Sequence, residues 1–262
     1  MRETMAVVLA AGKGTRMKSD LPKVLHEVHG VPMVKCCINA LEEAGVTDVT
    51  AVVGYRRDLV EQALGDTVQY AYQEQQRGTG DAVAAAKEQI RAHGGKIVVV
   101  YGDNPLLSPD TVRKLIEATD REGVAGAVLT FALENPPQAG RIIRDETDAF
   151  IKIIEEQDCT PEQKLINEVN VGTYCFEAGP LLEALDKLEP SNNQGEYYLT
   201  DVPEHLVKMG HLVATVAATD LFETLGVNDR HHLDFAEAAR EIGYAEGMYP
   251  LIDAALALGR QL

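Results

Sequence analysis

The sequence has few basic residues for its acidity. Its 262 residues include 24 lysines and arginines against 41 aspartates and glutamates, so the formal net charge is −17. This charge argues against nucleic acid or anionic membrane as a partner. The sequence also has no apolar run long enough to span a bilayer and no secretory signal pattern at its N-terminus. We therefore expect a cytoplasmic protein that binds neither nucleic acid nor membrane.

Cysteine is also scarce. The four cysteines are Cys36, Cys37, Cys159 and Cys175, with no C-x-x-C pair among them, and the seven histidines are scattered. Zinc sites need several such ligands at set spacings, and disulfides belong mainly to oxidising compartments. We therefore expect reduced thiols and no zinc site. Internal repeats and low-complexity segments are absent as well.

Hydrophobic residues make up 45% of the whole chain. Strand-like and helical patterns alternate through its first half. The strand-like segments are 5–9, 49–53, 68–72 and 97–101, and the helical ones are 33–44, 57–64, 79–92 and 110–121. This alternation predicts a parallel sheet with helices on both faces.

The second half has a different pattern. Extended runs at 126–133, 141–144, 149–155 and 168–176 are joined by short polar links, with helical patterns near 178–188 and 200–209. Because no linker separates the halves, we interpret the second as a mixed α/β lobe that continues the same sheet. A helical pattern then covers 230–262, interrupted by glycine and proline.

The most informative segment is the glycine-rich loop Leu9–Lys23, which follows the first predicted strand. Gly12 and Gly14 allow positive φ and close approach of backbone N–H groups to an anion. The loop has four basic side chains and one acid, namely Lys13, Arg16, Lys18, Lys23 and Asp20. On an acidic protein this pattern indicates a local polyphosphate site. The alternative is an ordinary strand-to-helix turn with solvated lysines.

This loop matches neither of two familiar nucleotide motifs. Met17 stands where the dinucleotide fingerprint G-x-G-x-x-G has its third glycine. The P-loop pattern G-x-x-x-x-G-K-[ST] is absent. The sequence therefore disfavours a nicotinamide-dependent oxidoreductase.

Asp103 follows the most apolar predicted strand of the first half. Ligands of open α/β sheets bind at the carboxyl ends of strands, so we expect Asp103 near the glycine-rich loop. A carboxylate beside bound phosphates suits Mg²⁺, which takes one or two carboxylates together with phosphate oxygens. The alternative is that Asp103, Asn104 and Pro105 simply form a turn.

These segments resemble the signature of the sugar-nucleotide pyrophosphorylases. The closest likeness is to the uridyltransferase domain of the bacterial bifunctional enzyme that makes UDP-N-acetylglucosamine, over about residues 5–230. The resemblance implies a Rossmann-like, three-layer α/β nucleotidyltransferase fold with a mostly parallel mixed sheet and a helical C-terminal tail. It also implies that UTP and a sugar 1-phosphate, such as N-acetylglucosamine 1-phosphate, give a UDP-sugar and pyrophosphate, with Mg²⁺ as cofactor.

The resemblance also implies a domain organisation. Residues 1–229 would form the nucleotidyltransferase domain, with a nucleotide lobe over about 1–110 and a sugar lobe over about 111–229. Residues 230–262 would be a helical extension. The bifunctional enzyme continues into a left-handed β-helix that transfers acetyl groups and trimerises. No hexapeptide repeat is visible here, so we expect neither that activity nor trimerisation through it, and the oligomeric state stays open.

Site residues carry over motif by motif. The implied catalytic cations are Arg16 and Lys23, and the implied metal ligands are Asp103 and the Asn228 of a G-V-N motif. The implied nucleotide-binding residues are Leu9, Ala10, Ala11, Gly12, Gly14, Thr15, Gln73, Gly78 and Thr79. Gln73 would read the uracil edge, because a carboxamide both donates and accepts. Two simpler alternatives remain: Asn228 could cap a helix at 230, and the G-T-G at 78–80 could merely start a helix.

On the sugar side the resemblance points to Gly140, Glu155 and Asn170. Two departures stand out there. Pro137-Gln138-Ala139 replaces the family's usual T-G-Y, and Gln157 replaces its usual lysine. Lost packing and a lost charge predict looser acceptor discrimination, with glucose 1-phosphate as a second substrate. Two alternatives for the whole chain stay open: a related nucleotidyltransferase with another sugar or nucleotide, and a regulator that binds nucleotide-sugars without turnover.

Overall fold

The computed structural model describes residues 4–134, 136, 139–224 and 226–242. Its strands are β1 (Thr4–Ala10), β2 (Glu27–Val28), β3 (Val31–Pro32), β4 (Asp48–Val53), β5 (Gln69–Tyr72), β6 (Lys96–Tyr101), β7 (Val124–Ala132), β8 (Arg141–Arg144), β9 (Phe150–Ile154), β10 (Glu168–Glu177) and β11 (Leu212–Ala217). Its helices are α1 (Met33–Glu43), α2 (Arg57–Leu64), α3 (Thr79–Ala85), α4 (Lys87–His93), α5 (Pro109–Ala118), α6 (Ala178–Leu185), α7 (Val202–Lys208) and α8 (Arg230–Ile242).

The main sheet has the strand order β11-β7-β10-β6-β1-β4-β5. Four neighbours, β6, β1, β4 and β5, run parallel, and β11 runs parallel to β7. Only β10 is antiparallel to both of its neighbours in this order, β6 and β7, and the β8–β9 hairpin attaches to it. The predicted mixed, mostly parallel sheet and the strand positions of the first half are confirmed.

The central strands are apolar throughout because both of their faces are covered. Along β1, Met5, Val7 and Leu9 belong to one core layer, whereas the intervening Ala6 and Val8 belong to the other. Alternate side chains of a strand point to opposite faces, so each layer receives every second residue. This gives the three-layer arrangement that the resemblance implied.

The sheet topology places two loops side by side. Leu9, near the end of β1, is in register with Tyr101 at the end of β6. The Gly102 backbone N–H then donates to the Leu9 carbonyl oxygen at 3.0 Å. The loops that follow these parallel strands therefore leave the sheet at the same edge.

Several features differ from the predicted pattern. The helix expected over 79–92 is broken at Ala86, where φ is −94° and ψ is 12°. The edge strand β11 and the short β2–β3 hairpin were not predicted. Of the expected helical extension, α8 is present, while 243–262 lies outside the described residues. No helix in the described part of the chain is long and apolar enough to cross a membrane.

A third apolar cluster lies where α8 meets the sheet edge. It contains Val28, Met33, Leu106, Phe222, Val227 and Ala236. The rings of Phe222 and Phe235 stack at 5.6 Å between centroids. This packing holds the segment before α8 against the turn that follows β6.

The far end of β6 carries a buried ammonium that allows a stability test. The Lys96 residue is only 5% exposed, and its Nζ contacts Asp120 and the Ile116 carbonyl oxygen, the latter at 2.9 Å. Asp120→Ala would leave this cation with one acceptor, so we expect the free energy of unfolding to fall by about 1–3 kcal/mol. Urea denaturation measures it. Lys96→Met added to Asp120→Ala is the matched control. It removes the cation as well, so the double variant should regain part of the lost free energy of unfolding.

Candidate active site

The glycine-rich loop wraps around Lys23. At Gly14 φ is +65°, and a Cβ built there would lie 2.4 Å from the Lys23 Cβ. The short helical turn Thr15–Met17 follows, and the Met17 side chain is fully buried. This explains why methionine stands where the dinucleotide fingerprint has glycine: the side chain anchors the loop to the core. Gly12, by contrast, is exposed and faces open space.

Four predicted residues from three chain segments meet at the end of β1 and β6. The Lys23 Nζ forms an ion pair with the Asp103 carboxylate and donates to Asn228 Oδ1 at 3.1 Å. Arg16 Nη2 donates to the same Asn228 oxygen at 2.9 Å. The side chains of Lys23 and Asp103 are only 17% and 15% exposed. Two cations and two oxygen donors therefore share one partly buried cleft.

The helix-cap alternative for Asn228 is wrong. The Asp229 Oδ1 accepts the His232 backbone N–H at 2.9 Å, so Asp229 takes the capping role at the start of α8. The Asn228 side chain instead accepts from Arg16 and Lys23. The Val227 N–H donates to the Asp103 carbonyl oxygen at 2.9 Å, which ties the G-V-N motif to the turn after β6.

The oxygen donors of this cleft fit a hard divalent cation. The described residues contain no group of three or more histidine, cysteine, aspartate or glutamate side chains that could hold a metal. Asp103 and Asn228, however, both place an oxygen against the same Lys23 ammonium. Mg²⁺ often takes few protein ligands and completes its shell with phosphate oxygens and water. This pair therefore has the oxygen chemistry that a divalent cation requires.

Gln73, the predicted base-reading residue, is buried behind the loop that starts α3. Its Nε2 donates to the Gly78 carbonyl oxygen at 3.0 Å and to Asp81 Oδ2 at 2.9 Å. Both amide hydrogens thus have partners within the chain. In this arrangement the Gln73 side chain can accept a hydrogen bond from a base but cannot donate one. The predicted role, in which Gln73 both donates to and accepts from uracil, is therefore limited to accepting.

Gly78 and Thr79 start α3, and they also join two loops. At Gly78 φ is +119°, and an added Cβ would lie 2.4 Å from the Tyr197 carbonyl oxygen. Tyr197 N–H donates to the Arg77 carbonyl oxygen, and Gly80 N–H donates to the Tyr197 carbonyl oxygen, each at 2.8 Å. The loop before α3 and residues 194–198, which we call the Q-G-E-Y-Y segment after their sequence, are therefore one hydrogen-bonded unit.

The predicted sugar residues lie together at the β8–β9 hairpin. Asn170 N–H donates to the Gly140 carbonyl oxygen at 2.9 Å. Arg141 at the start of β8 is in register with Ile154 at the end of β9, so Gly140 and Glu155 flank neighbouring strand ends. Burial raises the pKa of Glu155, whose Oε1 accepts from the Thr200 hydroxyl at 3.0 Å.

Sequence comparison identifies the family of this fold and cleft. A profile of the MobA-like NTP transferase domain matches residues 6–225. The chain belongs to this family. The family resemblance stated from the motifs is thereby confirmed.

The relatives of this NTP transferase domain include long proteins. The bifunctional protein GlmU of Heliobacterium modesticaldum is 45% identical over 238 residues, which are 91% of this chain and 52% of that protein. The bifunctional protein GlmU of Enterococcus faecalis is 42% identical over 236 residues, 90% of this chain and 52% of that protein. The chain thus spans about half the length of the curated relatives that it matches.

A solved structure confirms the fold. The crystal structure of a Bacillus anthracis protein described as a glucose-1-phosphate thymidylyltransferase superposes with a TM-score of 0.73. The match covers 93% of this chain and 98% of that chain, at 22% sequence identity. At this identity the likeness bears on the fold alone.

Of the two departures from the family pattern, the structure describes Gln157 and Ala139. Gln157 Oε1 accepts from Gln194 Nε2 at 2.7 Å, so it contacts the first residue of the Q-G-E-Y-Y segment. The Ala139 carbonyl oxygen accepts from Arg141 Nη1. Pro137 and Gln138 lie outside the described residues. Looser acceptor discrimination stays a prediction.

Sequence reasoning missed several residues around the cleft. Tyr101, the last residue of β6, is partly buried, and its ring lies 2.8 Å from a Cβ built on Gly172. Asn170 Nδ2 donates to the Tyr174 hydroxyl at 2.8 Å. Tyr101 directly precedes Gly102 and Asp103, so its place next to Asp103 in the sequence could have identified it as a residue near the cleft. Tyr174 had no local signal, because it lies inside an apolar strand.

Asp201, at the start of α7, predicts a pH effect on stability. Burial first, and then the acids Glu204, Glu155 and Asp158, raise the pKa of Asp201 to about 6. Its contribution to stability is thus present below its unfolded pKa and lost as pH rises through about 6. We expect Asp201→Asn to stabilise the protein near pH 8 by roughly 1 kcal/mol, allowing for solvent screening, and to change little near pH 4. Thermal unfolding at both pH values measures this, and equal effects at both would contradict it.

Proposed function

We propose that this NTP transferase domain transfers UMP from UTP to a sugar 1-phosphate, releasing pyrophosphate. The preferred acceptor is N-acetylglucosamine 1-phosphate. The observation that carries the proposal is the meeting of Arg16, Lys23, Asp103 and Asn228 at the ends of β1 and β6. The relatives named GlmU support the acceptor, because the motifs of this chain resemble the uridyltransferase domain of such a bifunctional enzyme. The proposed activity is that of this domain alone. We expect it to act in the cytoplasm.

The proposed reaction needs no general base. The phosphate of the acceptor is already an anion near neutral pH, so it can attack the α-phosphorus of UTP directly. Repulsion between the two anions is then the main barrier, and positioned cations lower it. Arg16 and Lys23 supply those cations at the cleft. Mg²⁺, held by Asp103 and Asn228, would neutralise further phosphate charge when bound.

The two sides of the cleft orient the reactants. Gly12 and the other backbone groups of the glycine-rich loop face the triphosphate, and Gln73 accepts from the base. Glu155 and Asn170 would bind the hydroxyl and acetamido groups of the sugar. Because the Q-G-E-Y-Y segment is hydrogen-bonded to Arg77 and Gly80, the base and sugar sides hold a fixed relation to each other.

A pyrophosphate-release screen tests the proposal directly. Nucleoside triphosphates are paired with sugar 1-phosphates, and we expect UTP with N-acetylglucosamine 1-phosphate to give the highest kcat/KM. Asp103→Asn should keep the fold and lose most turnover at sub-millimolar Mg²⁺, because it removes a charged metal ligand. Binding of UTP without pyrophosphate release for any pair would support a regulator instead. Preference for another pair would retain the enzyme class and reject the named substrates.

The Lys23 contact predicts competition between an ammonium and a metal. Lys23 contacts both oxygens proposed for Mg²⁺. Removing its charge with Lys23→Met should tighten Mn²⁺ binding to the nucleotide-free protein by about 30-fold, since a unit charge and a divalent cation about 4 Å apart repel each other by about 2 kcal/mol in a water-like medium. Electron paramagnetic resonance of free Mn²⁺ measures this affinity. Turnover should fall in the same variant, and Lys18→Met is the matched control. Unchanged or weaker Mn²⁺ binding in Lys23→Met would refute the competition.

A further inference from the structure

A buried polar contact lies directly behind Asp103. Asn104 Nδ2 donates to the Glu223 carbonyl oxygen at 2.8 Å, and the Thr111 hydroxyl donates to the Glu223 carboxylate. All three residues are at most 5% exposed. The contact joins the turn after β6, the first turn of α5 and the short helical turn Leu221–Thr224. The sequence motifs did not point to Thr111 or Glu223, and they named Asn104 only as part of a turn.

The Glu223 carboxylate is held in an environment that can support its charge. Burial raises the pKa of Glu223, while the Thr111 hydroxyl and the Ser108 backbone N–H favour its ionised form. Ser108 caps α5, with its hydroxyl accepting from the Asp110 N–H at 3.2 Å. The N-terminus of a helix favours a negative charge. A buried carboxylate is costly without such partners, so this contact specifies one position for Glu223.

Asn228 lies five residues after Glu223 in the chain. From Glu223 the chain runs to Val227, whose N–H donates to the Asp103 carbonyl oxygen. Asn228 follows with its Oδ1 at the Lys23 ammonium. The segment is thus attached at both ends to the turn that carries Asp103. Packing of Phe222 on Phe235 supports it from the other side, but this apolar contact has no direction.

We propose that Glu223, with Asn104 and Thr111, is a positioning residue that holds the Asn228 amide oxygen beside the Asp103 carboxylate. The inference rests on the proposed function, in which these two oxygens bind the metal. Glu223 does not touch the reactants; it acts through the segment that ends at Asn228. A merely structural role would lower stability and leave the metal requirement unchanged.

The test compares metal affinity with stability in the full chain. Glu223→Ala should raise the half-saturating Mn²⁺ concentration for pyrophosphate release by about 10–100-fold, as loss of contacts that orient metal ligands typically does. KM for the sugar phosphate should change little. Glu223→Gln, which keeps one acceptor, should show a smaller increase. Mn²⁺ binding in the presence of UTP, followed by electron paramagnetic resonance without acceptor, gives a readout independent of turnover.

Two variants keep the test decisive. Thr111→Val removes one hydrogen bond to Glu223 and should also weaken Mn²⁺ binding. It therefore tests the proposal even if Glu223→Ala does not fold. Asp120→Ala lies at the opposite end of β6 and should lower the melting temperature without changing Mn²⁺ affinity. The positioning role would be overturned if Glu223→Ala and Thr111→Val had the same half-saturating Mn²⁺ concentration as the wild type. It would also be overturned if Asp120→Ala raised this concentration by as much as they do. A wild-type protein that neither turns over nor binds Mn²⁺ with UTP would instead reject the proposed function.

Discussion

The parallel pairing of β1 with β6 is the constraint on which the cleft depends. It places Leu9 opposite Tyr101 and brings the Gly102 N–H to the Leu9 carbonyl oxygen. Only glycine fits there without movement of its neighbours: an added Cβ would lie 3.1 Å from the Leu9 carbonyl oxygen and 3.3 Å from the Val24 and Val34 side chains. The two loops therefore start in contact, and Lys23 of one reaches Asp103 of the other.

The charge arrangement in the cleft follows from that contact. An acidic chain that binds a polyphosphate must hold its cations in place without attracting polyanions elsewhere. Here the oxygens of Asp103 and Asn228 satisfy Lys23, and Asn228 also satisfies Arg16. The cations are thus held in place by the two oxygens that we propose as metal ligands.

Sequence reasoning succeeded where a local pattern has a local cause. The strands β1, β4 and β6 were predictable because a strand covered on both faces is apolar at most positions. The glycine-rich loop was predictable because Gly14 needs a positive φ next to Lys23. It failed where the cause is distant. The break at Ala86, the edge strand β11 and the contact between Glu223 and Asn104 depend on packing between segments that are far apart in the chain.

The sequence by itself determined the layered sheet, the glycine-rich loop and the residue types of the cleft, since apolar periodicity and glycine spacing act over a few residues. Only the tertiary structure decided how those residues are used. It showed that Asp229 and not Asn228 caps α8, that both Gln73 amide hydrogens have partners in the chain, and that Asn228 meets Lys23 across 205 positions of sequence. Hydrogen bonds are directional and short-ranged, so their partners are known only when the folded chain brings donor and acceptor together.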